Sequence, residues 1–208
     1  MTKRILFIFT GISLFFLFVV FSYIVHRNIF TSLDFDTTVR LQNHISRRFD
    51  SIFSLLSLMG SFESITILIV VLLVIYRKWR GIIPLVLYLS THLFELYGKF
   101  FVTHPSPPFM FLRYNIGFSF PSTYVQPGSS YPSGHSARTA FFAVLFIFIL
   151  FHWKKLPKTN KLLLSFFACL FALAMFISRI YLGEHWLSDV IGGSLLGTGF
   201  GFIGIVFL

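Results

Sequence analysis

The chain has 208 residues, of which 56% are apolar, 20% aromatic and only 12% charged, and its mean hydropathy is +0.82. That composition lies outside the range of soluble globular domains and belongs in a bilayer. The formal charge of +10 does not point to nucleic acid, because a nucleic-acid surface gathers its Lys and Arg on one water-facing patch, whereas here they sit in short clusters between apolar runs.

The first apolar run, residues 5–25, follows Lys3 and Arg4. It is longer than the h-region of a signal peptide and lacks a small-residue cleavage site, so it reads as a first membrane span. An amphipathic connection with Asp34, Asp36, Arg40, Arg47 and Arg48 leads to runs at 55–76 and 82–103, which are separated by a tight Arg77-Lys78-Trp79-Arg80 turn. A long loop near 104–135 follows, with a Pro-rich segment from His104 to Pro108 and a polar stretch from Ser119 to Ser130. Runs at 136–153, 162–182 and 186–208 complete the chain, the first two joined by a basic link from Lys154 to Lys161.

Each run supplies roughly the 20 residues of helix that a bilayer core requires. The expected fold is therefore all-α, a six-transmembrane-helix bundle forming one domain over residues 1–208, without repeats. Gly193, Gly197 and Gly201, at four-residue steps in the last run, permit close helix contact, either within the bundle or between subunits. Cys169 is the only cysteine and lies in an apolar run, which excludes an intrachain disulfide and a cysteine-rich metal site.

Cytoplasmic loops are enriched in Lys and Arg, and this sets the expected orientation. One side carries nine (Lys3, Arg4, Arg77, Lys78, Arg80, Lys154, Lys155, Lys158 and Lys161), and the other carries five, Arg27, Arg40, Arg47, Arg48 and Arg113. Both termini are then expected in the cytoplasm, with the 104–135 loop facing outward.

Chemistry concentrates in three clusters. Pro132-Ser133-Gly134-His135 stands at the mouth of the fourth run, where a hydroxyl, backbone N–H groups and a helix dipole suit an anion with His135 beside it. A capped helix with an incidental histidine accounts for the tetrapeptide equally well. The second cluster runs from Ser178-Arg179 to His185 and Asp189. His185 and Asp189 are four residues apart and share a helix face, so the carboxylate can orient the imidazole as a nucleophile. Arg179 offers a planar fork of donors matched to phosphate, and ionisable groups at membrane helix ends mark function by default. The third cluster is His92, Glu95 and Lys99 on one face of the third run. It reads equally as a structural ion pair, as a snorkelling lysine, or as part of a ligand set.

Together these clusters resemble the type 2 phosphatidic acid phosphatase superfamily, which also contains the vanadium-dependent haloperoxidases. The family pattern is Lys, six residues, Arg-Pro; then Pro-Ser-Gly-His; then Ser-Arg, five residues, His, three residues, Asp. The second and third motifs match completely, and the first is represented by Lys99 and Pro107. Its arginine falls at Ser106, with His104 two residues before it; Arg113, Arg138 one turn after His135, or protonated His104 are the candidates to replace that phosphate ligand.

The resemblance implies a membrane phosphatase without cofactor or divalent metal. His185 attacks phosphorus with Asp189 in support, and His135 serves as general acid and then base. Lys99, Ser133, Gly134 and Arg179 bind the phosphate. The implied partner is a lipid-linked phosphate among membrane lipids, with no nucleic acid. For an outward-facing site in a bacterial plasma membrane, undecaprenyl pyrophosphate is the first expectation. Phosphatidic acid or phosphatidylglycerophosphate follows, and a lipid head-group phosphotransferase comes third. A small transporter is disfavoured because most polar groups gather toward one membrane face and no internal repeat is visible.

Overall fold

The computed structural model describes residues 2–76, 81–116 and 129–208. The Arg77 to Arg80 turn and the 119–128 part of the polar stretch lie outside the described residues. Among those described there are eight α-helices: α1 (Thr2–His26), α2 (Thr31–His44), α3 (Asp50–Met59), α4 (Phe62–Tyr76), α5 (Ile82–Phe101), α6 (Gly134–His152), α7 (Lys158–Tyr181) and α8 (Leu187–Gly204). The all-α architecture is as the apolar runs predict. Helices α1, α6, α7 and α8 are each long and apolar enough to cross a membrane.

Two of the expected spans take a different form. The 55–76 run is not one helix but the pair α3 and α4, bent by 52°, with the break at Gly60-Ser61. A side chain at Gly60 would meet Met175 at 2.7 Å and the His135 ring at 3.1 Å, so the chain turns where two neighbours crowd it. Helix α5 has 20 residues, about 30 Å of helix, but Thr91, His92, Glu95 and Lys99 in its second half make it less apolar than the others. Six runs are thus present as helical units, and five of them have the length and apolarity of a span.

The centre of the bundle is the parallel pair α6 and α8. Gly193 faces the Ser133 carbonyl and Gly197 the Ala137 carbonyl, each too close for a Cβ, while Gly201 packs against Val144. The glycine steps therefore serve contact within the bundle. On the other side of α8, Gly199 and Gly11 bring α1 to the same close approach. Phe141, Leu145 and Ile149 of α6 fill the middle with Ile65, Ile69, Tyr88 and Leu196. Apolar side chains left outside, such as Phe9, Ile67, Val74, Leu93 and Phe166, form the lipid-facing coat that a bilayer protein needs and a soluble one avoids.

Helix α2 is turned inside out. Its buried residues are Asp34, Thr38 and Gln42, while Leu33 and Phe35 are exposed. Gln42 donates to the carbonyls of Phe111 (2.7 Å) and Tyr181 (2.9 Å), and so fastens α2 to the end of α7 and to the loop after α5. A polar stripe turned inward, with Leu33 and Phe35 exposed alongside Asp36 and Arg40, suits a short helix lying in the membrane interface, across the same end of the bundle as the C-termini of α5 and α7 and the N-termini of α6 and α8.

Candidate active site

At that end, four helix termini converge, and each delivers one part of the site. Helix α7 ends in Ser178-Arg179-Ile180-Tyr181, and the chain reverses through Gly183, whose φ of +69 places it in the left-handed region and whose Cα lies against the Phe111 carbonyl with no room for a Cβ. Glycine alone satisfies both demands without strain. The turn folds Glu184 and His185 back so that both donate their backbone N–H to the Arg179 carbonyl, at 3.2 Å each.

Arg179 is fully buried. Its Nη1 is paired with the Glu184 carboxylate, which leaves Nε and Nη2 buried and unpartnered, as is Nε2 of His135. Leaving such groups unmet is costly inside a protein, and an oxyanion within reach of them would satisfy them. His135 is buried at the start of α6 and lies within the electrostatic field of Arg179, Arg138, His185 and Lys99. The hydroxyl of Tyr114, also buried and unpartnered, lies within the electrostatic field of the Arg179–Glu184 pair.

His185 and Asp189 meet as their spacing predicts. Nδ1 of His185 is 3.3 Å from Asp189 Oδ2, and the same oxygen accepts from the Trp186 N–H at 2.9 Å. A carboxylate at this position suits a proton on Nδ1, with Nε2 of His185 on the far side of the ring. The other carboxylate oxygen, Oδ1, accepts from His104 Nδ1 at 2.9 Å, and His104 Nε2 lies 3.6 Å from Asp34 Oδ2. Burial works against charge on His104, but its hydrogen bonds and the field of Asp189 and Asp34 outweigh it and hold its pKa up to about 9.

Ser133 caps α6: its Oγ accepts from Ser136 N and Ser136 Oγ, and its own N–H donates to the Asp189 carbonyl at 3.0 Å, which ties the start of α6 to α8. Gly134 opens the helix with its Cα packed on the Glu95 carboxylate, again with no room for a Cβ. Glu95 accepts from Arg138 Nη1 (2.9 Å), His92 Nδ1 (3.0 Å) and Lys99 Nζ (3.3 Å). A carboxylate thus sits at the positive end of α6, where the helix dipole favours it, and Lys99 remains partly exposed beside it.

The three candidates for the missing arginine separate clearly. Arg138 lies in the cationic group around His135 and is bound to Glu95. Arg113 turns away: its guanidinium stacks 5.1 Å over the Tyr181 ring and reaches the Ile45 carbonyl. His104 has both ring nitrogens facing carboxylates and is only 5% exposed.

The structure also brings forward Asp34, Glu184 and Tyr114, which motif reasoning left aside. For Asp34 a signal exists, since Asp34, Thr38 and Gln42 form a polar stripe at four-residue steps in a helix whose other faces carry Leu33 and Phe35. Glu184 and Tyr114 have no local signature, because their roles arise from the turn and the loop that place them.

Comparison with known proteins accords with this geometry. The family model described as the PAP2 superfamily matches residues 80–208. Phosphatidylglycerophosphatase B of Bacillus subtilis (strain 168) is 33% identical over 124 residues, which is 59% of this chain and 55% of that protein, so the chain spans about half the length of that relative. The crystal structure of a transmembrane PAP2 type phosphatidylglycerolphosphate phosphatase from Bacillus subtilis superposes with a TM-score of 0.77 at 23% identity, covering 94% of each chain. The crystal structure of Aquifex aeolicus LpxE gives a TM-score of 0.62 at 24% identity, over 83% of this chain and 94% of that one. With the family model covering more than half of its length, this chain belongs to the PAP2 superfamily.

Proposed function

We propose that this protein hydrolyses a phosphate monoester on a membrane lipid through a phosphohistidine on His185. The observation that carries the reading is the pairing of buried, unspent donors on Arg179 with an unpartnered His135 Nε2 beside the His185–Asp189 pair. His185 Nε2 attacks phosphorus in line, the bond to the lipid oxygen breaks, and His135 gives that oxygen a proton. In the second step His135 takes a proton from water, the resulting hydroxide attacks the phosphohistidine, and inorganic phosphate leaves with His185 restored. Arg179, Lys99, Ser133 and the N-terminus of α6 meet the charge of the transferred group. They stand where a divalent ion stands in other phosphotransferases.

A monoester fits the charge inventory better than a pyrophosphate. Glu95 already engages Lys99 and Arg138, so Arg179 is the guanidinium among the described residues with buried donors to spare, enough for one phosphoryl group. The Bacillus subtilis relative that is 33% identical over 124 residues carries the name phosphatidylglycerophosphatase B. Phosphatidylglycerophosphate therefore moves ahead of undecaprenyl pyrophosphate, which an outward-facing site alone favours, and phosphatidic acid stands next to it as a monoester. A lipid substrate keeps its tails in the bilayer while its head group enters between α5, α6, α7 and α8.

The test is phosphate release by purified protein from phosphatidylglycerophosphate, phosphatidic acid and undecaprenyl pyrophosphate in EDTA. Release should persist under chelation and be fastest with a monoester. Strict dependence on added magnesium would end the metal-free reading, and preference for the pyrophosphate would restore the other order. Orientation is read separately. In a Cys169→Ser background, a Met110→Cys variant should react with an impermeant thiol reagent on intact cells and Lys155→Cys should not; the reverse pattern places the site in the cytoplasm.

A further inference from the structure

We infer that His104, clamped between Asp34 and Asp189, is a positioning residue that acts on the nucleophile His185 through the shared Asp189 carboxylate. The inference rests on the reading of His185 given above and adds two residues to it. The chain of contacts runs from α2 to α8. Asp34 Oδ2 faces His104 Nε2 at 3.6 Å, His104 Nδ1 meets Asp189 Oδ1 at 2.9 Å, and Asp189 Oδ2 meets His185 Nδ1 at 3.3 Å. Both carboxylates are buried to within 1% of full enclosure, so these contacts are screened little by water.

Asp34 has a second task. Its Oδ1 accepts from Ser188 N at 2.8 Å and its Oδ2 from Ser188 Oγ at 2.7 Å, one residue before Asp189. One side chain of α2 therefore holds both the first turn of α8 and the imidazole that grips Asp189. The far edge of the His104 ring is steadied by Tyr131, edge-on at 6.5 Å, whose hydroxyl pairs with Ser22 at 2.8 Å.

With only His185 and the Trp186 amide as partners, both on Oδ2, the carboxylate plane of Asp189 would be free to turn about its Cβ–Cγ bond. His104 on Oδ1 supplies the opposing contact that stops it, and the direction of His185 Nε2 follows. Near neutral pH the ring between two carboxylates carries a proton on both nitrogens, as an imidazolium, in keeping with its pKa of about 9. The charged groups facing it are Asp34 from α2 and Asp189 from α8. The alternative, that His104 replaces the absent arginine as a phosphate ligand, needs a ring nitrogen turned to the substrate, and both are turned to carboxylates.

The experiment measures kcat and KM for dioctanoyl phosphatidic acid, a soluble monoester probe, with full-length protein in detergent. His104→Gln should lower kcat by about 10–100-fold, the range seen when a metal-bound histidine loses its outer hydrogen-bond partner, with KM changed much less than kcat. In an Asp189→Asn background the same change should cost nothing further, because its route is already cut. In Asp34→Asn, whose amide oxygen still accepts from Ser188, the alkaline limb of kcat should move acidward by about one unit, since one of two carboxylates holding the proton on His104 is lost. A loss confined to KM, a full additional loss in the Asp189→Asn background, or an unmoved limb in Asp34→Asn each overturns the inference. If His104→Gln does not fold, the Asp34→Asn profile decides alone. Turnover surviving in His185→Ala would instead refute the underlying site assignment, so the two failures are distinct.

Discussion

Asp189 and Glu95 are both buried carboxylates accepting from three donors, and their donors differ in what they have left to give. Around Asp189 stand two imidazoles and one backbone amide. Each imidazole has a second nitrogen, and on His185 that nitrogen points away from the carboxylate and is free for chemistry. Around Glu95 stand His92, Lys99 and Arg138, so a single negative charge serves two permanent cations and the start of α6. In the proposed mechanism the first carboxylate directs a reacting atom, whereas the second makes it tolerable to keep a guanidinium and an ammonium at a helix end in a membrane. Burial and hydrogen bonding alone do not separate the two functions; the chemistry of the partners does.

If that contrast holds, Asp189→Asn should cost rate and Glu95→Gln should cost stability. Asp189→Asn keeps a group of the same shape but loses the charge that sets the His185 tautomer, and loss of such an orienter reduces kcat by about 10⁴-fold in other triads. We expect a loss of that order in steady-state phosphate release, with much less acid-labile phosphoenzyme in a rapid-quench experiment. Asp189→Asn turning over within tenfold of wild type would place the orienting role elsewhere.

His135 should show the next largest effect, about 10²–10⁴-fold as general acid–base catalysis commonly contributes. Its signature is which step suffers. With an aryl phosphate, whose leaving group is already a weak base, His135→Ala should still form phosphoenzyme but break it down slowly, because water activation is lost. His185→Ala should form none. Covalent phosphate trapped in the His185 variant and absent from the His135 variant would exchange the two roles.

Much of this was legible in the residues, for reasons that differ along the chain. The helices were legible because a bilayer demands long apolar runs, and the His185–Asp189 contact because a four-residue spacing on one helix leaves little freedom. The break between α3 and α4 was not, since its Gly60-Ser61 pair sits in a largely apolar run, and the lack of room for a Cβ at Gly60 beside Met175 and His135 appears only in the folded chain. His104 stands out in the sequence by its place in a motif, as one of three candidates to replace a phosphate ligand. Its carboxylate partners lie 70 residues before it, on a helix that is polar on its buried face, and 85 residues after it. No local pattern carries that information. The glycine steps in α8 were ambiguous between partners until α6 was seen to occupy the groove.

Glu95→Gln tests the other half of the contrast. The amide can still bond, but Arg138, 4% exposed, loses its counter-charge, and breaking one side of a buried pair costs about 3–5 kcal/mol. We expect a large fall in the thermal midpoint in detergent, with KM for the monoester changed less than stability. Arg138→Met in the same background should recover part of the midpoint, because the uncompensated charge is then removed. An unchanged midpoint in Glu95→Gln would mean that Lys99 and Arg138 are neutralised by something other than Glu95.

The smallest effect expected is at Gly197, and it concerns the frame that holds both carboxylates in place. Its Cα rests on the Ala137 carbonyl, two residues after His135, so a methyl group there must push α8 away from α6. Overpacking of this kind typically costs about 1–3 kcal/mol. Because Ser133 N–H donates to the Asp189 carbonyl across the same seam, widening it should also separate His135 from the His185–Asp189 pair. Gly197→Ala should therefore lower both the thermal midpoint and kcat, whereas Gly201→Ala, which meets only the Val144 side chain at 3.0 Å, should lower the midpoint less and leave kcat near wild type. Equal effects of the two substitutions on kcat would show that the spacing of α6 and α8 near the site is not what sets the reacting geometry.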